Sequence, residues 1–267
     1  MWKTDKTTPA WYGAETGHCV PLDISNPDVV DWMVEIFVEG ESGAIDSKMD
    51  AVALDNFDLD NSHEAAGVFS SDGVWTEKWK SNKDWTESVL FWLERFYSLV
   101  DSRLAVIPNF TMHAGSRAFD DPSVLRLCNA SDAHVDESGF TDWAEGLTCG
   151  DEFSTLMYHM QNQKDHNKGY YSINEFEPDA LNTSSSRLYV VASYLMGSSD
   201  QTAIWLGNIQ GYGALIAEYP ELELDVGTPL SPAKLQDDGS WIHEFSSAAV
   251  FVDPTNCDAP IAKITRK

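Results

Sequence analysis

The sequence predicts an α/β protein of the (β/α)8 barrel type, incomplete at its N-terminus and followed by a small antiparallel β segment. Three observations predict it. Short apolar runs alternate with longer amphipathic segments as far as residue 208. Those apolar runs end in acids and amides rather than in a glycine-rich phosphate loop. Beyond residue 208, Gly/Pro punctuation and two-residue alternation take over. The chain therefore divides into a barrel portion, 1–208, and a barrel-closing segment with a β-hairpin, 209–267.

The elements follow in order. "HCVPLDI" (18–24) reads as a buried strand and "NPDVVDWMVEIFVEG" (26–40) as a helix, with Asn26 as N-cap and Pro27 at the first helical position. "DAVALDN" (50–56) is the next strand, and "DWTESVLFWLERFYSLVDS" (84–102) is a strong helix after a long loop. "RLAVIPNF" (103–110) is a strand and "DPSVLRLCNA" (121–130) a shorter helix. "DAHVDESGF" (132–140), "GYYSINEFE" (169–177) and "QTAIWLGN" (201–208) are strands, separated by helices at 151–163 and 184–198. Repeated βα units of this length imply right-handed crossovers and a parallel sheet. "SWIHEF" and "AAVFVDP" then read as a hairpin.

In a barrel the C-terminal strand ends converge on one face, where active sites sit. Convergence would gather Asp23, Asp55, Asn56, Asn109, Asp136, Glu137 and Glu175 without any local motif. Polar residues ending apolar strands cost desolvation unless a site uses them or pairs them. Glycoside hydrolysis is the reaction that needs two carboxylates around one bond. Asp55 and Glu137 are the expected catalytic pair. Asp23, Asn56, Asn109, Asp136 and Glu175 are expected to bind substrate, with Trp11 and Tyr12 as stacking platforms for sugar rings. Trp75, Trp79 and Trp85 either stack on sugar or pack down their own loop, while Trp32 and Trp92 read as helix-packing residues.

Other chemistries lack their signatures. From Asp58, an EF-hand loop would need Gly at the sixth place and Glu at the twelfth; the chain has His63 and Phe69. There is no HExxH, and the seven histidines show no ligand spacing, so neither a metal nor a cofactor is expected. GxSxG is also missing. Asp58 and Asp60 read as loop carboxylates.

The balance of 17 basic against 43 acidic residues, a formal net charge of −26, repels nucleic acid and anionic membrane. Such an acid excess suits a protein working in high salt, where screening suppresses self-repulsion. The 10 Trp, 9 Tyr and 12 Phe argue for a packed core rather than disorder. No segment reaches the roughly 20 apolar residues of a membrane span, and the start shows no signal-peptide h-region. The four cysteines (Cys19, Cys128, Cys149 and Cys257) are widely spaced and leave their disulfide state open.

"PLDISNPDVVDW" (21–32), "DAVALDN" (50–56), "LAVIPNF" (104–110), "AHVDESGFTDW" (133–143) and the tail from "ELELDVGTPLSP" to "FVDPT" together resemble a known group. These are the glycoside hydrolase-like TIM-barrel proteins, related in style to the endo-polygalactosaminidase type of barrel. The resemblance spans most of residues 19–256. It implies a barrel hydrolase of glycosidic bonds acting on a carbohydrate substrate, with Asp55 and Glu137 on the matching acidic positions, and an extracellular location. Val226 and Ser231 depart from the group's usual Leu and Gly, and "SSAAVFVDP" lacks its Asn-Gly turn and closing Asn-Pro. A non-catalytic carbohydrate-binding barrel or a truncated inactive homologue are the alternatives. A full barrel needs eight strands, and only about 18 residues precede the first one predicted here. A missing N-terminal segment or an oligomeric partner would have to complete it.

Overall fold

The computed structural model describes residues 1–10, 21–100, 102–111, 120–142, 146–176, 182–207 and 219–267. The chain forms two compact units, Met1–Pro108 with Asp120–Asp132, and Asn109–Phe119 with Ala133–Lys267.

In the first unit, α1 (Pro27–Met33) starts where the sequence signals it. The Asn26 side chain accepts from Asp28 N at 3.0 Å, and Pro27 occupies the first turn, where no N–H is needed. The helix continues as a π-helical turn, Val34–Glu39, and stops at Gly40. β1 (Ala51–Leu54) runs parallel to β4 (Ala105–Pro108), pairing Ala51 with Ala105 and Leu54 with Pro108. Between them β2 (Gly67–Phe69) and β3 (Trp75–Glu77) form an antiparallel hairpin. α2 (Asn82–Val100) buries Trp85, Val89, Leu93, Phe96 and Val100 at helical spacing. α3 (Pro122–Asn129) is capped by Asp121, which accepts from Ser123 N. It is tied to α2 by Arg126, which reaches Glu87 and Glu94 at 2.8 Å each.

The second unit holds a parallel sheet of β5 (Ala133–Asp136), β6 (Gly169–Glu175) and β7 (Thr202–Gly207), in that order. α4 (Gly150–Asp165) and α5 (Ser184–Gly197) make its connections. β8 (Lys234–Leu235), β9 (Trp241–Glu244), β10 (Ala248–Asp253) and β11 (Ile261–Arg266) form an antiparallel sheet ordered β11-β10-β9-β8. β9 and β10 are the two arms of the hairpin read at "SWIHEF" and "AAVFVDP". α5 packs on this sheet, and Phe140, Phe153, Leu156, Tyr189, Val190, Phe245 and Val250 fill the shared core. A disulfide joins Cys149 to Cys257, 108 residues apart, and fastens the start of α4 to the turn before β11. Beside it Gly150 N donates to Pro254 O at 2.8 Å.

The eight-stranded barrel is corrected by this topology. Among the described residues, the parallel ladders are those of β1 with β4 and of β5, β6 and β7, with an isolated parallel bridge from Asn109 to Val135; the other sheets are antiparallel. Two local causes are visible. Of the strand read at residues 18–24, residues 18–20 lie outside the described residues and 21–24 join no sheet; the chain turns at 24–25, where the Asp23 carboxylate accepts from Ser25 N at 3.0 Å and Ser25 Oγ at 2.7 Å. The stretch read as a long loop after Asp55 contains β2 and β3, which pair with each other.

Candidate functional site

The C-terminal edge of the β5-β6-β7 sheet gathers the acids and amides of the second unit. Ligands in open α/β sheets bind outside such edges. Asp136 ends β5 fully buried, and its carboxylate is spent on structure. Oδ1 accepts from Ser138 N, Ser138 Oγ and Gly139 N, each at 3.1 Å, and Oδ2 accepts from Tyr170 Oη at 2.8 Å. Burial, and then the Asp136 charge, hold the Tyr170 phenol well above its ordinary range, so it stays a donor.

Asn174 clamps the same loop from β6. Its Oδ1 accepts from Phe140 N at 2.7 Å, and its Nδ2 donates to Ser172 Oγ at 2.9 Å and Trp205 O at 3.2 Å. Thr141 Oγ1 accepts from Glu175 N at 2.9 Å. Gly139 sits at φ +47°, and a Cβ there would lie 2.5 Å from Ile173 O and 2.6 Å from Asn174 Oδ1. Only glycine allows the loop to approach β6 this closely.

These braces leave two carboxylates beside the edge. Glu175 ends β6 with 4% of its surface exposed, and its Oε2 has no hydrogen-bond partner among the described residues. Burial raises its pKa, and the charge of Glu137 raises it further. Glu137 is half-buried in the loop that Asp136, Gly139 and Asn174 hold in place. A carboxyl whose pKa is raised both by burial and by a neighbouring carboxylate is an arrangement acid catalysis exploits.

The other predicted residues are distributed differently. Asp55 belongs to the first unit and Glu137 to the second, so neither unit alone contains the expected catalytic pair. Asp55 is exposed; it accepts from Asn56 N at 3.0 Å and Asn56 Nδ2 at 3.1 Å, and Asn56 sits at φ +53°. Both line a cavity of the first unit. Asp23, also in the first unit, is bound by Lys78 Nζ at 2.5 Å. Asn109 is in the second unit, bridged in parallel to Val135 and half-buried. Trp11 and Tyr12 lie outside the described residues.

The aromatic expectations are partly redrawn. Trp79 and Trp85 are buried loop-packing residues, their indoles donating to Ser88 Oγ and Asp58 O. Trp32, read as helix packing, is 47% exposed. Asp58 and Asp60 act as loop carboxylates. Asp58 accepts from Asp60 N at 2.8 Å, and Asp60 accepts from Asn82 Nδ2.

Sequence spacing missed a histidine pair. His134 of β5 and His159 of α4 are fully buried and stacked, with Nδ1 and Nε2 3.1 Å apart. Gln163 Nε2 also approaches His134 Nδ1, at 3.5 Å, which favours that nitrogen as the acceptor and His159 Nε2–H as the donor. Burial holds both imidazoles below their ordinary pKa, His159 at about 4. Both are therefore neutral at pH 7.

No protein-family model matches this chain, and comparison with curated proteins finds no significant match.

Proposed function

We propose that the second unit is a hydrolase of glycosidic bonds using two carboxylates, with Glu175 as the proton donor and Glu137 as the second carboxylate. Glu175 carries the reading: a buried carboxyl, its pKa raised by desolvation and by Glu137, with one oxygen unpartnered among the described residues. In such a reaction the acid protonates the leaving oxygen while the second carboxylate attacks the anomeric carbon or activates water. Burial keeps Glu175 protonated above the usual range of a glutamic acid, closer to the pH at which it would act. Asp136, Tyr170 and Asn174 hold the loop that carries Glu137. The formal charge of −26 disfavours polyanionic glycans and leaves neutral or amino sugars as the substrate class.

Reducing-end release from neutral and amino polysaccharides tests the reading. Glu175→Gln and Glu137→Gln should each lower kcat by about 10²-fold or more, with circular dichroism unchanged. The wild-type rate should fall as pH rises through the raised pKa of Glu175, and that limb should vanish in Glu175→Gln. Full activity in either variant refutes the pair. Saturable oligosaccharide binding without product would instead mark a carbohydrate-binding protein.

A further inference from the structure

The first unit contains a cavity of about 430 Å³ that the hydrolase reading does not use. Its volume falls within the range of small-molecule sites and is nearly three times the roughly 150 Å³ that accommodates one benzene ring. Leu54 of β1, Val89 and Trp92 of α2, and Phe57 between them make much of its wall. The aromatic surfaces are held in place: Trp92 stacks on Phe96 with centroids 5.0 Å apart, and Trp85 meets Trp79 edge-on at 5.7 Å. The cavity is therefore preformed, and an apolar body entering it meets rigid walls.

Among the described residues of the wall, the acidic side chains are Asp55 and Asp58. Burial lowers the pKa of His63, Asp58 pulls it back up, and Lys3 lowers it slightly. Lys3 itself is paired with Glu64 at 2.7 Å. The Met1 amino group donates to Pro21 O, and burial lowers its pKa against the pull of Asp23. An organic anion would face both aspartates and the −26 net charge. A cation gains from the carboxylates and from the indole faces.

We infer that this cavity binds an amphipathic organic cation, with an aromatic or branched apolar body of about two rings and an amine head directed to Asp55 and Asp58. It stands on the first unit alone and shares no residue with the Glu137 and Glu175 site, so either can fail without the other.

Three probes with one body and different heads test it by titration calorimetry at pH 7: 2-(2-naphthyl)ethylamine, 2-(2-naphthyl)ethanol and 2-naphthylacetate. The amine should saturate a single site at least tenfold more tightly than the alcohol, and the acetate should not bind. Asp58→Asn should bring amine and alcohol to within about threefold of each other. Ala53→Trp, at an exposed position of the wall, should abolish amine binding with the melting temperature unchanged. Leu22→Trp, on another exposed part of the wall, replaces it if Ala53→Trp melts early. The inference is overturned if the acetate binds as tightly as the amine, if no probe saturates, or if the amine still binds to a folded wall variant.

Discussion

Lowering the pH from 7.5 to 4.5 should destabilise the second unit through its buried histidine pair. His159 has an ordinary pKa of 6.5 and is pushed down to about 4 by burial. Between those values the unfolded chain binds a proton there and the folded one does not, so stability rises with pH across the window. Stability is complete above pH 6.5, falls by about 1.4 kcal/mol per pH unit below it, and levels off near pH 4. His159 alone thus contributes about 3 kcal/mol of loss, and His134, lowered by burial, by His159 and by Lys168, adds in the same direction. Glu175 opposes them. Its folded pKa is raised, so it favours the folded state at low pH and loses that contribution as pH rises through the raised value. Carboxylates with lowered pKa, such as Asp238, lose their contribution only below about 3.8, under the window. Urea unfolding at fixed salt, followed at pH 7.5, 6.5, 5.5 and 4.5, measures the slope. His159→Gln should flatten it substantially. A stability flat across that range, or an unchanged slope in the variant, refutes the argument.

Two stability predictions address the same unit. Reducing the Cys149–Cys257 disulfide releases a loop of 108 residues and should cost about 5 kcal/mol in the chain-entropy picture, read as a lower urea midpoint with reductant. A loss below about 1 kcal/mol would place the constraint elsewhere in the unfolded chain. Gly139→Ala should cost at least about 2 kcal/mol, since backbone strain at φ +47° adds to the clash with Ile173 O. Gly73→Ala is its control: φ is +82° with no atom within 4 Å of the added Cβ, so strain alone should appear, about 1 kcal/mol. Equal losses at the two glycines would show that the clash is relieved by movement.

Local signals carried much of the secondary structure. The Asn26-Pro27 pair marks the start of α1, the apolar spacing of α2 marks its buried stripe, and the ends of β5 and β6 fall within a residue or two of the acids that mark them. Sheet membership was not legible, because it is a long-range property. Alternation shows that a strand and a helix recur, but not whether the next strand joins the same sheet or, as β2 and β3 do, builds another of opposite pairing. The expected catalytic pair rested on that assumption, and its two members belong to different units, Asp55 to the first and Glu137 to the second. The His134–His159 contact was hidden for the same reason, since a strand and a helix bring together residues 25 apart.

The acids of the second unit show why residue type alone could not assign roles. Asp136, Glu137 and Glu175 are chemically near-equivalent in the sequence, and hydrogen-bond supply separates them. Asp136 is the most deeply buried, yet it accepts from three backbone or hydroxyl donors of its own loop and from Tyr170. Such a carboxylate has most of its acceptor capacity taken and little left for a substrate. Glu175 is buried almost as deeply, but its Oε2 has no donor among the described residues, and its own backbone N–H is already committed to Thr141. A fold selected for stability alone would supply a donor there or replace the carboxyl with an apolar group, because an unsatisfied buried polar atom costs about 1–3 kcal/mol. That cost is tolerated where function uses the group, and the proposed role of Glu175 as proton donor, with its pKa raised by burial and by Glu137, would account for it.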